Sequence, residues 1–151
     1  MKKTNNKGFS LVELIVVIAI MAVLIGVLAP TFTKYVERSR KSTDVQNVAS
    51  IVTAVQTYAI DPMVTTNKLA TTATVTLKYN DEAYATSGNA AHALTAAGIE
   101  KVALKSDKWA VGTGGTAGQI VLTFTVKDDG SITVASDCDT TKNDILKGTY
   151  Q

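Results

Sequence analysis

The sequence predicts an α+β protein in which a long, kinked N-terminal α-helix packs on a small antiparallel β-sheet head. Three observations predict this class. An apolar run occupies residues 9–29, and a one-sided apolar pattern with helical spacing follows it to Ile60. Short segments in which apolar and polar residues alternate then fill the rest of the chain. At 151 residues the chain has room for one domain and an appendage.

The apolar run is long enough to cross a membrane. Its 21 residues would span about 30 Å as a helix, which matches the hydrocarbon core of a bilayer. Residues 1–8 are basic, which marks the cytoplasmic side. A cleavable secretory signal has a shorter apolar run and an A-x-A-like site, and neither is present here. We therefore expect a membrane-spanning helix over residues 9–30.

Glu13 is the single charged residue of this run. An acid at the centre of a membrane helix costs roughly 2.5–3.5 kcal/mol. Glu13 lies only about 6 Å from Phe9, so its cost is lower, yet a simple membrane anchor would gain nothing from it. The carboxylate therefore indicates a function beyond anchoring.

An amphipathic helix is predicted over residues 31–61. Val45, Val48, Val52, Val55 and Ala59 recur at steps of three and four, with Ile51 and Tyr58 beside them. Asp61 precedes a proline and is disfavoured in a helix, so the helix should end there. Gly26 and Pro30 are expected to break the long helix between its two halves, since an interior proline removes a hydrogen bond.

The segment KGFSLVELIVVIAIMAVLIGVLAP resembles the prepilin signature of type IV pilins and pseudopilins, and the resemblance covers about residues 1–60. It implies that a prepilin peptidase removes residues 1–8 after Gly8 and that the new Phe9 amine is methylated. It also implies that Glu13 is the acid needed for filament assembly. Pro30 matches a frequent kink, and Gly26 lies where pilin helices often lose helicity in filaments.

The resemblance also implies the partners and location of the protein. These are the bacterial cytoplasmic membrane before assembly, the prepilin peptidase/methylase, the pilus assembly machinery and a homo-oligomeric helical filament at the cell surface. Glu13 could pair with its own Phe9 amine, four residues away, or with the amine of a neighbouring subunit. The resemblance favours the neighbour, and the sequence alone leaves both open.

Three functions are considered. The first is a major-type subunit of an extracellular type IV pilus, and the second is a pseudopilin of a type II secretion or competence system. A membrane-anchored enzyme is the third, but the sequence has no nucleophile–base pair and no cofactor motif. The expectation is therefore a structural protein, not an enzyme, with no cofactor.

The head is predicted over residues 62–151. ATVTLKY and KWAV are expected to be strands, and GTGGTAG a loop. The segment SGNAAHALTAAGIE is expected to be a short helix with Ser87 as its N-cap and Gly98 as its end.

One hairpin register is predicted from QIVLTFTVKDDGSITVAS. A two-residue turn would place the apolar faces of the two strands on opposite sides of the sheet. A three-residue loop, 128–130, with Gly130 left-handed, pairs Val126 with Ile132 and Phe124 with Val134.

Other groups are interpreted as structural. A chain starting at Phe9 would carry 12 basic and 13 acidic residues, so charge does not predict a nucleic-acid site. The single His92 excludes a His-rich metal site. The single Cys138 excludes an internal disulfide and is best read as a small structural residue.

The C-terminal acids could bind calcium, but their spacing is not that of an EF-hand, and no metal site is predicted (Asp128, Asp129, Asp137, Asp139 and Asp144). Basic residues that follow the apolar run could contact lipid headgroups or pair with Glu37 and Asp44, and a solvated face or salt bridges between subunits are favoured (Arg38, Arg40 and Lys41).

Overall fold

A computed structural model describes residues 9–109 and 118–138, apart from the side chain of Ala83. It confirms the α+β class, with a long apolar helix and a small antiparallel sheet. The elements are α1 (Leu11–Ile60), β1 (Thr72–Lys78), β2 (Asp81–Thr86), α2 (Ala90–Ala96), β3 (Gln119–Val126) and β4 (Ile132–Asp137). The chain divides into two compact units, with the boundary between Arg38 and Ser39.

The first part of α1 buries nothing within the chain. Every residue from Leu11 to Tyr35 is exposed, including fourteen large apolar side chains from Leu11 to Leu28 with the aromatic rings of Phe32 and Tyr35 beyond them. By length and composition α1 can cross a membrane, with a mean hydropathy of 3.1 over its most apolar 18 residues. In water such a surface would be unfavourable, so this segment requires lipid or other protein around it.

The predicted helix break concerns Gly26 and Pro30. Both residues lie inside α1, which is helical from Leu11 to Ile60. The physical reason is local: Pro30 lacks an N–H, so the carbonyl of Gly26, four residues earlier, loses its usual donor, but the turns on either side are unaffected. A loss of helicity on assembly stays a prediction.

The second unit has one hydrophobic core. The part of α1 after Ser39 contributes Val48, Ile51, Val52 and Val55, all buried, which confirms the predicted stripe at its centre. Val45 and Tyr58 are partly buried against the same core. The other buried apolar side chains come from the sheet, from α2 and from the segment before residue 110 (Ala73, Val75, Leu77, Ala90, Ala93, Leu94, Leu104, Trp109, Ile120, Leu122, Phe124 and Cys138).

The sheet has four strands in the order β2-β1-β3-β4, and each neighbouring pair is antiparallel. The predicted hairpin is confirmed: Val126 pairs with Ile132, Phe124 pairs with Val134, and Gly130 has φ +80°. Strand β2 was not predicted from the sequence.

Two predictions about the head are wrong. α2 starts after Asn89, which is left-handed at φ 67°, while the Ser87 hydroxyl lies 2.7 Å from the Thr74 hydroxyl instead of capping the helix. Lys108 and Trp109, the described half of KWAV, are not in a strand. Gly98, at φ +71°, directly follows Ala97, the C-cap of α2, and the helix ends there as predicted. Of the predicted GTGGTAG loop, residues 112–117 lie outside the described residues.

Candidate functional site

Two hydrogen bonds between Ser10 and the first turn cap the N-terminus of α1. The Ser10 backbone N–H donates to Glu13 Oε2 at 2.9 Å, and the Val12 N–H donates to the Ser10 hydroxyl at 3.4 Å. A serine followed three residues later by glutamate is the capping-box arrangement, which satisfies N–H groups that have no partner inside the helix. The acid also lies in the first turn, where the helix dipole favours a negative charge.

Glu13 is thus held by its own chain in this structure. Its carboxylate binds the N–H of the residue that follows Phe9, and the Phe9 side chain is 87% exposed. The segment S-x-x-E carries the signal for this cap, which was not predicted, because Glu13 was interpreted only as a partner for an amine. Gly8, the predicted last leader residue, lies outside the described residues.

The structure does not bring the two predicted helix-break residues to Glu13. They lie 13 and 17 residues further along α1, which is about 20 and 26 Å at the helical rise (Gly26 and Pro30). Gly26 and Pro30 are instead linked through one hydrogen bond that cannot form. Pro30 has no N–H, so the Gly26 carbonyl lacks its usual donor in the helix.

A second polar site was missed from the sequence: Asp44 is fully buried. Its carboxylate accepts hydrogen bonds from the Lys105 N–H at 2.7 Å, the Ser106 N–H at 3.0 Å and the Trp109 indole N–H at 2.7 Å. The Lys41 ammonium lies 5.0 Å from the centre of the Trp109 ring. Such a desolvated carboxylate is stable only because donors surround it.

The Asp44 site joins α1 to the segment that borders the sheet. Leu104, directly before the bound N–H groups, donates its own N–H to the Lys78 carbonyl and pairs with Tyr79. The carboxylate therefore fixes one segment, residues 104–109, against both the helix and the end of β1. This arrangement is suited to stabilising the contact between these segments.

Among the described residues, no group of three or more His, Cys, Asp or Glu side chains is placed to hold a metal ion. His92 is exposed on α2, and Cys138 is buried. Of the acids considered for calcium, Asp128 and Asp129 lie in the exposed β3–β4 loop, whereas Asp139 and Asp144 lie outside the described residues.

Comparison with known proteins locates the similarity in the same N-terminal segment. Residues 3–29 match the family described as the prokaryotic N-terminal methylation motif. The chain is 40% identical over 55 residues to the prepilin peptidase-dependent protein A of Clostridium perfringens (strain 13 / Type A), which is 36% of this chain and 39% of that protein. It is 34% identical over 59 residues to the type IV major fimbrial protein FimA of Dichelobacter nodosus, covering 39% and 38% of the two chains.

A third relative is the type IV major pilin protein PilA of Myxococcus xanthus (strain DK1622), 36% identical over 54 residues, or 36% of this chain and 24% of that one. No solved structure matches the chain significantly. The N-terminal segment therefore carries the methylation motif and is similar to type IV pilins, in agreement with the resemblance stated from the sequence. The match spans less than two fifths of the length of these relatives.

Proposed function

We propose that the protein is a major-type subunit of an extracellular type IV pilus. The observation that carries this proposal is an N-terminal helix that carries the methylation motif and leaves its apolar side chains exposed in the single chain. Lipid tails and a bundle of identical helices are about equally apolar, so the helix can move from one to the other at little hydrophobic cost. The relatives named as major pilin or major fimbrial proteins support the same function.

The proposed order of events starts in the cytoplasmic membrane. A prepilin peptidase/methylase removes residues 1–8 on the cytoplasmic side and methylates Phe9, and the assembly machinery then transfers the helix into a homo-oligomeric filament. The filament is proposed to lie at the cell surface. Residues 9–30 are its core, residues 31–61 connect the core to the head, and residues 62–151 form the head.

Glu13 is proposed to bind the Phe9 amine of a neighbouring subunit. Cleavage creates an α-amino group with a pKa near 8, which is positively charged at neutral pH. A carboxylate and an ammonium in an apolar bundle are each costly alone and tolerable together. To reach a neighbour, the Glu13 carboxylate must exchange its own Ser10 N–H for the new amine.

The variant Glu13→Gln tests this role. Glutamine also forms a capping box, so the substitution keeps the cap of α1 and removes only the charge. We expect normal membrane insertion and processing, but a loss of most filaments in electron micrographs of sheared cells. The matched control is Ser10→Ala, which removes the hydroxyl of the cap and keeps the charge, and which should still give filaments. Normal filament number and length with Glu13→Gln would show that the charge is not needed.

A second experiment separates the proposed pilus from a pseudopilus. Long sheared fibres whose main component begins at methylated Phe9, by mass spectrometry, would support the pilus. A processed chain found only in short assemblies inside the envelope would identify a pseudopilin instead. A chain that keeps residues 1–8 and never enters a fibre would contradict both.

A further inference from the structure

The residues of α1 that follow the apolar run form a basic collar, defined as residues 34–41. It contains Lys34, Arg38, Arg40 and Lys41 and a single acid, Glu37. No other acid occurs between Glu13 and Asp44. Lys34, Arg38 and Arg40 are exposed, whereas Glu37 and Lys41 are half-buried and have contacts in their own chain.

A filament brings these collars together. Packed helices lie about 8–10 Å apart, which is comparable with the screening length of about 8 Å at physiological salt, so charges on neighbouring helices still interact. Each collar carries a net charge of +3, so neighbouring collars repel unless acids and bases alternate between copies. Glu37 is the acid in the collar that can provide this alternation.

The proposed contact of Glu13 determines which residues meet. If Glu13 of one copy lies level with the Phe9 amine of a neighbour, the two copies are offset by four residues, or about 6 Å along the axis. In a helical filament the same offset applies to every residue, whatever happens to the helix near Gly26 and Pro30. Lys41 of the first copy then lies level with Glu37 of the same neighbour.

The two contacts also have the same sequence spacing. Lys41 follows Glu13 by 28 residues, and Glu37 follows Phe9 by 28 residues. Since 28 residues are four heptads, positions this far apart return to the same side of a helix that is continuous, as α1 is here, and that packs in the left-handed manner. The two contacts, Glu13 with the Phe9 amine and Lys41 with Glu37, can therefore form at matching heights and on the same helix faces of one pair of neighbouring copies.

We propose that Glu37 of one copy forms an ion pair with Lys41 of the neighbouring copy, as a second contact with the four-residue offset of Glu13. This inference rests on the proposed pilus function. The Lys41 ammonium has three donors, so it can bind the neighbour's carboxylate while it lies over Trp109. The charge pattern favours another copy of the chain over a lipid headgroup, because anionic lipid would leave Glu37 facing like charge.

Cross-linking between two differently tagged chains tests the offset. One chain carries Glu37→Cys and the other carries Lys41→Cys, both in a background where Cys138, the single native cysteine, is alanine or serine. A chain with one cysteine cannot form an internal disulfide. Both are expressed at a low level beside wild-type chain, so that fibres form even if the variants assemble poorly, and sheared fibres are oxidised.

The expected product is a disulfide-linked heterodimer that exceeds each homodimer by at least about fivefold. Identical positions are separated by about 6 Å along the axis in addition to the lateral distance between the helices, and the two together exceed the Cα separation of about 7 Å that a disulfide allows. The homodimers are the internal control. Fibres without this excess would overturn the inference and leave the pilus function standing. An equal excess in the membrane pool before assembly would also overturn it. Absence of any fibre from the wild-type chain would refute the pilus function itself.

Discussion

Removal of the Asp44 carboxylate should destabilise the second unit more than any loss of a surface acid. Asp44→Ala leaves the Ser106 N–H and the Trp109 indole N–H without their acceptor in a buried place, and the Lys105 N–H in a partly buried one. Each buried donor without a partner costs about 1–3 kcal/mol. Partial entry of water lowers the sum, so we expect a loss of about 3 kcal/mol in the free energy of unfolding.

Two further variants should lower the free energy of unfolding by smaller amounts. Asp44→Asn keeps the shape and one acceptor oxygen but turns an amide donor toward N–H groups, so its loss should be smaller than that of alanine. Asp128→Ala removes an exposed acid from the β3–β4 loop and should change the free energy of unfolding by no more than about 0.5 kcal/mol.

Unfolding can be followed with the natural chain. Trp109 is the single tryptophan, is fully buried and donates to Asp44, so its fluorescence reports this site directly. The assay is urea unfolding of the whole chain in detergent, which keeps the apolar part of α1 covered. If Asp44→Ala lies within about 1 kcal/mol of wild type, the three hydrogen bonds do not stabilise the fold as argued.

Two smaller effects should also be measurable. At Gly88, with φ +62°, an added Cβ would collide with the Thr72 carbonyl oxygen and with Ala73, so Gly88→Ala should lower the free energy of unfolding by at least about 2 kcal/mol in thermal unfolding. Gly98 has φ +71° but lies in open space, so Gly98→Ala should lower it by only about 1 kcal/mol. Equal losses would refute the steric argument. The hydroxyl and the N–H of Ser131 donate to Asp129 and lower the pKa of its carboxyl below the ordinary 3.8, so its stabilising effect is present above that pH and is lost as the pH falls through the lowered native value. A carbon-13 titration of Asp129 that stays at the ordinary value would contradict this.

Periodicity predicted most of the long elements because it reflects which face is buried. The stripe around Val48 and Val55 and the hairpin from Phe124 to Val134 follow from helical and strand spacing alone. Strand β2, DEAYAT, could not be found in this way. It lies at the edge of the sheet, where charged residues such as Asp81 and Glu82 are tolerated and one face need not be apolar.

Asp44 shows the limit of what hydrophobic periodicity can predict. Its spacing from Val48, Ile51 and Val55 places it on the buried stripe, so an acid on the core face was visible in the sequence. The hydrogen-bond donors to Asp44 could not be predicted, because Trp109 lies 65 residues away and the segment around it was predicted as a strand. Periodicity reports burial, whereas the donors that make a buried charge stable depend on tertiary structure.

Glu13 differs from Asp44 because its partner is expected to change. In the single chain it caps α1 through Ser10, and a surface cap of this kind is worth about 1 kcal/mol. In an apolar bundle an ion pair with a charged amine is stronger than a bond to a neutral N–H. The net gain from the exchange is the difference between the two, so Glu13 would favour assembly by less than an isolated ion pair indicates. In the proposed assembly the apolar surface from Leu11 to Leu28 would therefore supply the remaining packing energy, and Glu13 would set the register of neighbouring helices more than hold them together.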